Sequence, residues 1–382
     1  MKILYCAIDQ TVPGTTGGSV HVTAVAEGLA ALGNEVHVLV SPGNSDFPEG
    51  TVRWIAMRPP FGARQLRWAR TRAVRRIAER LRPDAVIERY YNFGGEGIAA
   101  AKSVGATTVL EVNAPVIDYR GSAKALFDRA LIVHPMRRWR ERLCRQADLI
   151  VTPTAKILPK RTSARKIIEI EWGADTHRFH PGAAGPLPYT RPPGVLVIFA
   201  GAFRSWHGAV HLARAIRELR ARGRKGIAAV FIGDGPELSA VRAEASGLEA
   251  VVFAGAVPHA QMPACLAAAD IGVAPFDTAA HRPLSLGFYW SPLKIFEYMA
   301  AGLPVVAPAI DRIPSLVEHG REGILYQPDA AGALADALER LVDDGLRGRL
   351  GAAARDRAVR EYSWSAHCRQ LMVAITRTRR AP

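Results

Sequence analysis

No stretch of about 18 consecutive apolar residues occurs in this chain, so no bilayer-spanning helix is expected. The opening run MKILYCAIDQTVPG turns polar quickly and does not read as a secretory leader, which makes the cytoplasm the expected location. Cysteine is scarce. Cys6, Cys144, Cys265 and Cys368 are far apart, with no Cys-x-x-Cys pair and no histidine cluster at ligand spacing, so neither a zinc site nor a disulfide framework is suggested. Acidic residues are also in short supply, 35 against 50 lysines and arginines, a formal charge of +15.

That excess is concentrated. Residues 53–82 hold ten arginines against Glu79, a local charge of +9. Leu66, Ala69, Ala73, Ile77 and Leu81 recur at helical spacing within it, which predicts an amphipathic helix with the arginines outermost. A second basic stretch, HPMRRWRERLCR at 134–145, sets Trp139 among arginines. Such helices suit an anionic membrane surface, and Arg67, Arg70, Arg75 and Arg76 are the residues expected to face it. A solvated arginine-rich face is the plainer alternative. Nucleic acid is disfavoured, since no binding motif for it accompanies the charge.

With 382 residues and 49% hydrophobic content, the chain suits two domains of ordinary size. Short apolar strands alternate with helices from KILYCAI to DLIVTPT, which predicts parallel strands covered on both faces. The proline-rich, aperiodic HPGAAGPLPYTRPPG then interrupts the pattern, and the alternation restarts at VLVIFAG. The expected division is an N-terminal Rossmann-like domain over 1–182, a linker at 183–194, a second Rossmann-like domain over 195–361 and a last helix, 362–382, able to cross back. Doubly wound sheets bind ligands at the carboxyl ends of their strands, so the loops there and the cleft expected between the domains are where to look.

Gly17 and Gly18, in DQTVPGTTGGSVHV, lead into a helix whose free N–H groups suit an anion; a purely structural turn is the alternative. The pattern is not G-x-G-x-x-G, which counts against a dinucleotide oxidoreductase. In GAFRSWHG, Arg204 sits where a phosphate could lie, beside Trp206 and His207. The loop GDGPE, with Gly233, reads first as a turn and helix start, with ligand contact as the alternative. Val257 in FAGAVPHAQMP marks a loop whose main chain could hold a base. In SPLKIFEYMAAGLPVVAP, Ser291 and Pro292 read as N-cap and first helical residue. Lys294 and Glu297 share a face of that helix: Lys294 could reach a phosphate and Glu297 accept sugar hydroxyls, or the two could form a simple surface pair.

In this order and spacing the segments GGSVHVTAVAEGLAALGNEVHVLV, WGADTHRFHPG, GDGPE, AADIGVAPF, PLKIFEYMAAGLPVVAP and EHGREGILYQPDA resemble the retaining GT-B glycosyltransferases, the large group that includes bacterial polysaccharide and lipid-linked-sugar synthases. The resemblance implies an α/β protein of two Rossmann-like domains. It also implies a nucleotide-diphosphate-sugar donor held mainly by the second domain and an acceptor held by the first. It assigns Glu297 to the ribose and the loop before its helix, with Tyr289 and Ser291, to the donor. Two departures stand out. Ala202 and His207 occupy the positions of a customary arginine and lysine, leaving Arg204 as the substitute cation with His207 assisting; and Tyr289 stands where a sugar-reading glutamate is usual. Asn113 takes the place of a histidine near the donor sugar, and Glu111, Glu88 and Arg89 are expected toward the same cleft, where a carboxylate could orient the acceptor hydroxyl or simply bind loop amides.

The expected reaction is transfer of a sugar to an acceptor hydroxyl with retention, Glu111, Asn113, Arg204 and Lys294 being the catalytic candidates. No Asp-x-Asp motif is present, so neither metal nor cofactor is expected beyond the nucleotide sugar itself. A lipid-linked or polysaccharide intermediate is the expected acceptor, a lipid-linked one lying at the inner face of a membrane. A sugar-nucleotide epimerase of the same fold and a non-catalytic nucleotide-sugar-binding protein are the alternatives.

Overall fold

The computed structural model describes residues 1–119 and 121–380, and the chain divides into two compact units. The first contains residues 1–172, 289–291 and the C-terminal helix; the second contains 173–288 and 292–363.

In the first unit, seven strands, β1 (Lys2–Val12), β2 (Glu35–Pro42), β3 (Arg53–Ala56), β4 (Ala85–Arg89), β5 (Thr107–Glu111), β6 (Leu149–Thr152) and β7 (Ile167–Glu169), form one parallel sheet in the order β3-β2-β1-β4-β5-β6-β7. Helices α1 (Gly17–Ala31), α2 (Thr71–Leu81), α3 (Glu96–Val104), α4 (Ala123–Ala130) and α5 (Pro135–Gln146) belong to it. The run Ile3–Ile8 is buried throughout, as a central parallel strand covered on both faces must be. Val22, Val25 and Leu29 of α1 share one core cluster with Cys368, Leu371 and Ile375 of the last helix.

The second unit repeats the plan with six parallel strands, β8 (Val195–Ala200), β9 (Ile227–Ile232), β10 (Val251–Gly255), β11 (Ile271–Val273), β12 (Val305–Pro308) and β13 (Gly323–Tyr326), in the order β10-β9-β8-β11-β12-β13. Its helices are α6 (Ala209–Ala221), α7 (Leu238–Glu244), α8 (Met262–Ala267), α9 (Leu293–Ala300), α10 (Ile313–Leu316), α11 (Ala333–Arg340) and α12 (Asp344–Glu361); α13 (Trp364–Arg380) is the helix of the first unit named above. Phe199, Phe203 and Phe231 pack against one another in its core with their rings tilted. In each sheet the strand order reverses once, beside β1 and beside β8, and ligands of doubly wound folds bind at that reversal.

The proline-rich stretch is not a free linker. Arg191 pairs with Asp270 at 2.8 Å, the Tyr189 hydroxyl donates to the Cys265 carbonyl, and Pro181 lies so close to Gly302 that a Cβ there would meet its ring at 2.7 Å. All three contacts tie it to the second unit.

The arginine-rich segment departs from its sequence period. Residues Arg64–Arg70 form a 3-10 helix, α2 starts only at Thr71, and its buried positions are Val74 and Ala78. Three residues per turn rotate Arg67 inward, so Arg67 is fully buried and faces no membrane, contrary to expectation. It donates to Glu96 at 2.6 Å, to Asp9 at 2.5 Å and to the Arg89 carbonyl, with Glu88 at 3.9 Å. Arg75 and Arg76 are exposed, and Arg70 is half-buried with its Nε on the Arg58 carbonyl.

Candidate functional site

In the second unit, β8 ends at Ala200 and the chain turns through Gly201 at φ 142°, a conformation open mainly to glycine. The Lys294 ammonium occupies the space beside it. A Cβ on Gly201 would lie 3.0 Å from Lys294 Nζ, with His207 Nδ1 at 3.8 Å. Nζ is 4.3 Å from the centre of the Phe199 ring and 5.4 Å from that of Phe276, and this buried nitrogen has no hydrogen-bond partner. Burial lowers its pKa to about 7, only partly opposed by Glu297. An unpaired cation against two aromatic faces is an arrangement that a folded protein rarely leaves without an external partner.

Around that cation the loops are fixed by the main chain. Gly233 packs on the Gly201 carbonyl, Phe203 N donates to Asp234 O at 2.9 Å and Glu237 N to Phe203 O at 2.9 Å. Gly233, half-buried, therefore braces the Gly201 loop. Its own N–H donates to Gly255 O at 2.8 Å, which ties in the loop bearing Val257, a half-buried residue. Two residues further, His259 Nε2 lies 3.5 Å from Glu297 Oε1. Glu297 is one turn beyond Lys294 and keeps about a fifth of its side chain open to solvent. Sequence reasoning missed His259, although it sits in the same loop as Val257; it also missed Gly201, whose signal was a glycine ending a buried strand.

Arg204 is exposed, with its guanidinium 5.7 Å from the Trp206 ring, which in turn lies 4.0 Å from His281. His207 is held neutral: burial first and the Lys294 charge second lower its pKa to about 3, and its Nδ1 meets the Ala202 carbonyl. A neutral imidazole offers a hydrogen bond and no charge.

Ser291 and Tyr289 group with the first unit. The N-cap expectation for Ser291 fails: α9 begins at Leu293, Pro292 caps it without a side chain, and the Ser291 hydroxyl donates to Glu171 at 2.7 Å while accepting from Trp172 N at 3.0 Å. Tyr289 is buried, and burial with the nearby Tyr119 pushes its hydroxyl up to about 12.

In the first unit, strand ends β1, β4 and β5 gather a second polar cluster. The Glu111 carboxylate takes the Tyr5 hydroxyl, His21 at 2.7 Å, Arg89 at 2.8 Å and the Asn113 amide. Burial alone would raise its pKa, but these partners outweigh burial and hold it well below the usual range, while burial keeps His21 neutral. So saturated and so acidic a carboxylate is a poor proton acceptor. Its action is on Asn113, whose other end accepts from Trp172 Nε1 at 2.9 Å.

Glu88 and Arg89 are buried in the unit instead of facing a ligand. Glu88 accepts from the Gly95 and Ile98 amides at the start of α3, and burial with the neighbouring Glu96 raises its pKa to about 8. Arg89 is the counter-ion of Glu111. Gly17 opens α1, with Thr16 capping by accepting from Ser19 N at 3.2 Å, and a Cβ on Gly18 would require the flexible end of the Gln10 side chain to move.

Residues 15–158 match the family Glycosyltransferase Family 4, and residues 194–344 match Glycosyl transferases group 1. The chain is 32% identical over 255 residues to a D-inositol 3-phosphate glycosyltransferase of Corynebacterium aurimucosum, a match spanning 60% of this chain and 58% of that protein. It is 29% identical over 200 residues to a GDP-mannose-dependent alpha-(1-6)-phosphatidylinositol monomannoside mannosyltransferase of Mycobacterium tuberculosis, covering 50% of this chain and 51% of the other. Among solved structures, sucrose-phosphate synthase from Thermosynechococcus elongatus superimposes with a TM-score of 0.72 at 18% identity, over 98% of both chains. Each unit thus contains most of one matched region, and the α/β GT-B architecture is shared over 98% of the chain.

Proposed function

Because the chain belongs to the group 1 and family 4 glycosyltransferases of GT-B architecture, we propose that it moves a sugar from a nucleoside-diphosphate donor to an acceptor hydroxyl with retention of configuration. The observation that carries this reading is the buried, unpartnered Lys294 ammonium at Gly201, one helical turn from Glu297. A diphosphate supplies the anion that Lys294 lacks, and Glu297 accepts the ribose hydroxyls. Arg204 adds a second cation at the mouth of the same loop, and Val257 with the 255–258 main chain borders the base. One relative is GDP-mannose-dependent by name, which supports a nucleotide sugar without fixing the base.

In the reaction, the anomeric carbon to phosphate oxygen bond breaks while the acceptor oxygen bonds to the same face of that carbon. The acceptor's proton passes to the departing phosphate oxygen. Lys294 and Arg204 stabilise the charge on the diphosphate as it leaves, where preorganised donors contribute most. No divalent ion has a role in this scheme, because the sequence carries no Asp-x-Asp motif and two side-chain cations take the load. On the first unit, Asn113, oriented by Glu111 and Trp172, positions the transferring sugar. Relatives that act on inositol phosphate and phosphatidylinositol mannoside support an acceptor on a lipid or polyol phosphate at the inner face of a membrane.

A thermal-shift screen with UDP, GDP and their sugars tests the donor: one nucleotide class raises the melting temperature, whereas none doing so at millimolar concentration overturns the reading. Proton NMR of the product tests the stereochemistry, an inverted anomer contradicting retention.

A further inference from the structure

The first unit exposes its largest run of apolar side chains at the tip between α4 and α5. Phe127 and Leu131 are about half exposed, Leu126 and Val133 more than half, and Ile132 stands 81% open. Ile132 and His134 adopt φ of 60° and 47°, a left-handed conformation that a β-branched residue rarely takes. The strain turns Ile132 outward instead of into the core. Below the tip the hairpin is firmly pinned. Asp128 accepts from the Met136 and Arg137 amides at 2.8 and 2.9 Å, Arg140 bonds Asp118 at 3.0 Å and the Val116 carbonyl, and Trp139 donates to the Gly94 carbonyl at 2.8 Å. The tip is therefore a rigid projection with its apolar side outward.

Its surroundings are positive. Arg129, Arg137, Arg138, Arg142 and Arg145 are exposed, while among residues 121–146 Asp128 is buried and Glu141 half-buried on Arg137. The loop at Gly94 that receives Trp139 is also adjacent to the arginine-rich segment, through Arg67 on Glu96. Phe61, almost wholly exposed, and Trp68 lie on that segment. No helix among the described residues is long and apolar enough to cross a membrane.

We propose that the α4–α5 tip, with Leu126, Phe127, Leu131, Ile132 and Val133, inserts into the interfacial region of an anionic bilayer while the flanking arginines bind lipid headgroups. An apolar wedge rimmed by arginines matches an anionic bilayer, which offers both an apolar interior and a negative surface. The assignment moves the membrane contact away from the arginines of α2, which carry charge but no apolar wedge. It stands independently of the donor site, which lies on the other unit.

The test is cosedimentation of the full chain with vesicles of three parts phosphatidylcholine to one part phosphatidylglycerol, and with phosphatidylcholine alone. Leu126→Ser, Phe127→Ser and Ile132→Ser combined weakens binding to the anionic vesicles about tenfold. Melting temperature and nucleoside-diphosphate binding stay unchanged, because these side chains are exposed and belong to the unit that does not carry Lys294. Arg70→Gln, Arg75→Gln and Arg76→Gln combined produces a smaller loss that vanishes at high salt. Ile132→Cys, labelled with an environment-sensitive dye while the four native thiols stay buried, shifts to the blue on adding the anionic vesicles. The proposal is overturned by a triple tip variant that still binds like wild type or by a label that does not shift. It is overturned equally by light scattering that shows a dimer abolished by the tip substitutions, since a second copy would then cover this surface.

Discussion

Arg67 and Lys294 are both buried cations on α/β sheets, one in each unit, and they differ in what surrounds them. Arg67 has three carboxyl groups, those of Asp9, Glu88 and Glu96, within 3.9 Å and donates to main-chain carbonyls as well. Lys294 has two phenylalanine rings and no hydrogen-bond partner. The first has every valence met by the chain and is part of the scaffold. The second is incomplete in the protein alone, which is the mark of a residue completed by a ligand. The lesson is that burial of charge does not distinguish structure from function; satisfaction does.

The comparison breaks most severely at Arg67. Arg67→Met leaves Asp9 and Glu96 facing each other uncompensated, and stability should fall by about 3–5 kcal/mol in a urea titration. The same change at Lys294 should have the opposite sign: Lys294→Met removes an unpaired buried charge and keeps or raises the melting temperature. Turnover with the identified donor should nonetheless drop about a hundredfold, the usual effect of losing one preorganised contact to a leaving oxyanion. A Lys294→Met protein that is both destabilised and active would invert the comparison. Glu297→Gln is milder, since an amide still accepts one hydrogen bond; nucleoside-diphosphate affinity should fall about tenfold by calorimetry, with stability unchanged.

The gentlest probe is pH. Glu88 has its pKa raised to about 8, so the folded state holds a proton that the unfolded chain releases near its ordinary carboxyl value. Its contribution to stability is fully present below that value and is lost as pH rises toward 8. Lys294 is lowered to about 7, so the unfolded chain binds the extra proton and stability grows from pH 7 upward, toward the ordinary lysine value. Glu88→Gln should flatten the fall on the acid side and Lys294→Met the rise on the alkaline side. Identical pH profiles for both variants and wild type would show that neither burial is real.

The sequence made the architecture legible because buried parallel strands announce themselves as short apolar runs, and both sheets follow from that alternation. Lys294 and Glu297 were legible too, since two charges on an apolar helix have few explanations. Arg67 was not. Its partners lie 29 and 58 residues away, and a 3-10 turn displaces the helical period that seemed to place it outside. Ser291 was misread for a similar reason: a serine before a proline looks like a cap, but Glu171 and Trp172, distant in sequence, claim its hydroxyl. The carboxylates Glu88 and Glu111 looked available at strand ends, and only the tertiary structure reveals the amides, arginine and tyrosine that occupy them.

The most direct test of Lys294 as the cation awaiting a diphosphate is the proton balance of binding. UDP or GDP, whichever binds, is titrated into the protein above neutral pH in two buffers of different ionisation enthalpy. An anion placed on Lys294 restores its full charge, so wild type should take up a proton fraction that Lys294→Arg, permanently charged, does not. Equal proton uptake in wild type and Lys294→Arg, or none in wild type, would contradict the account.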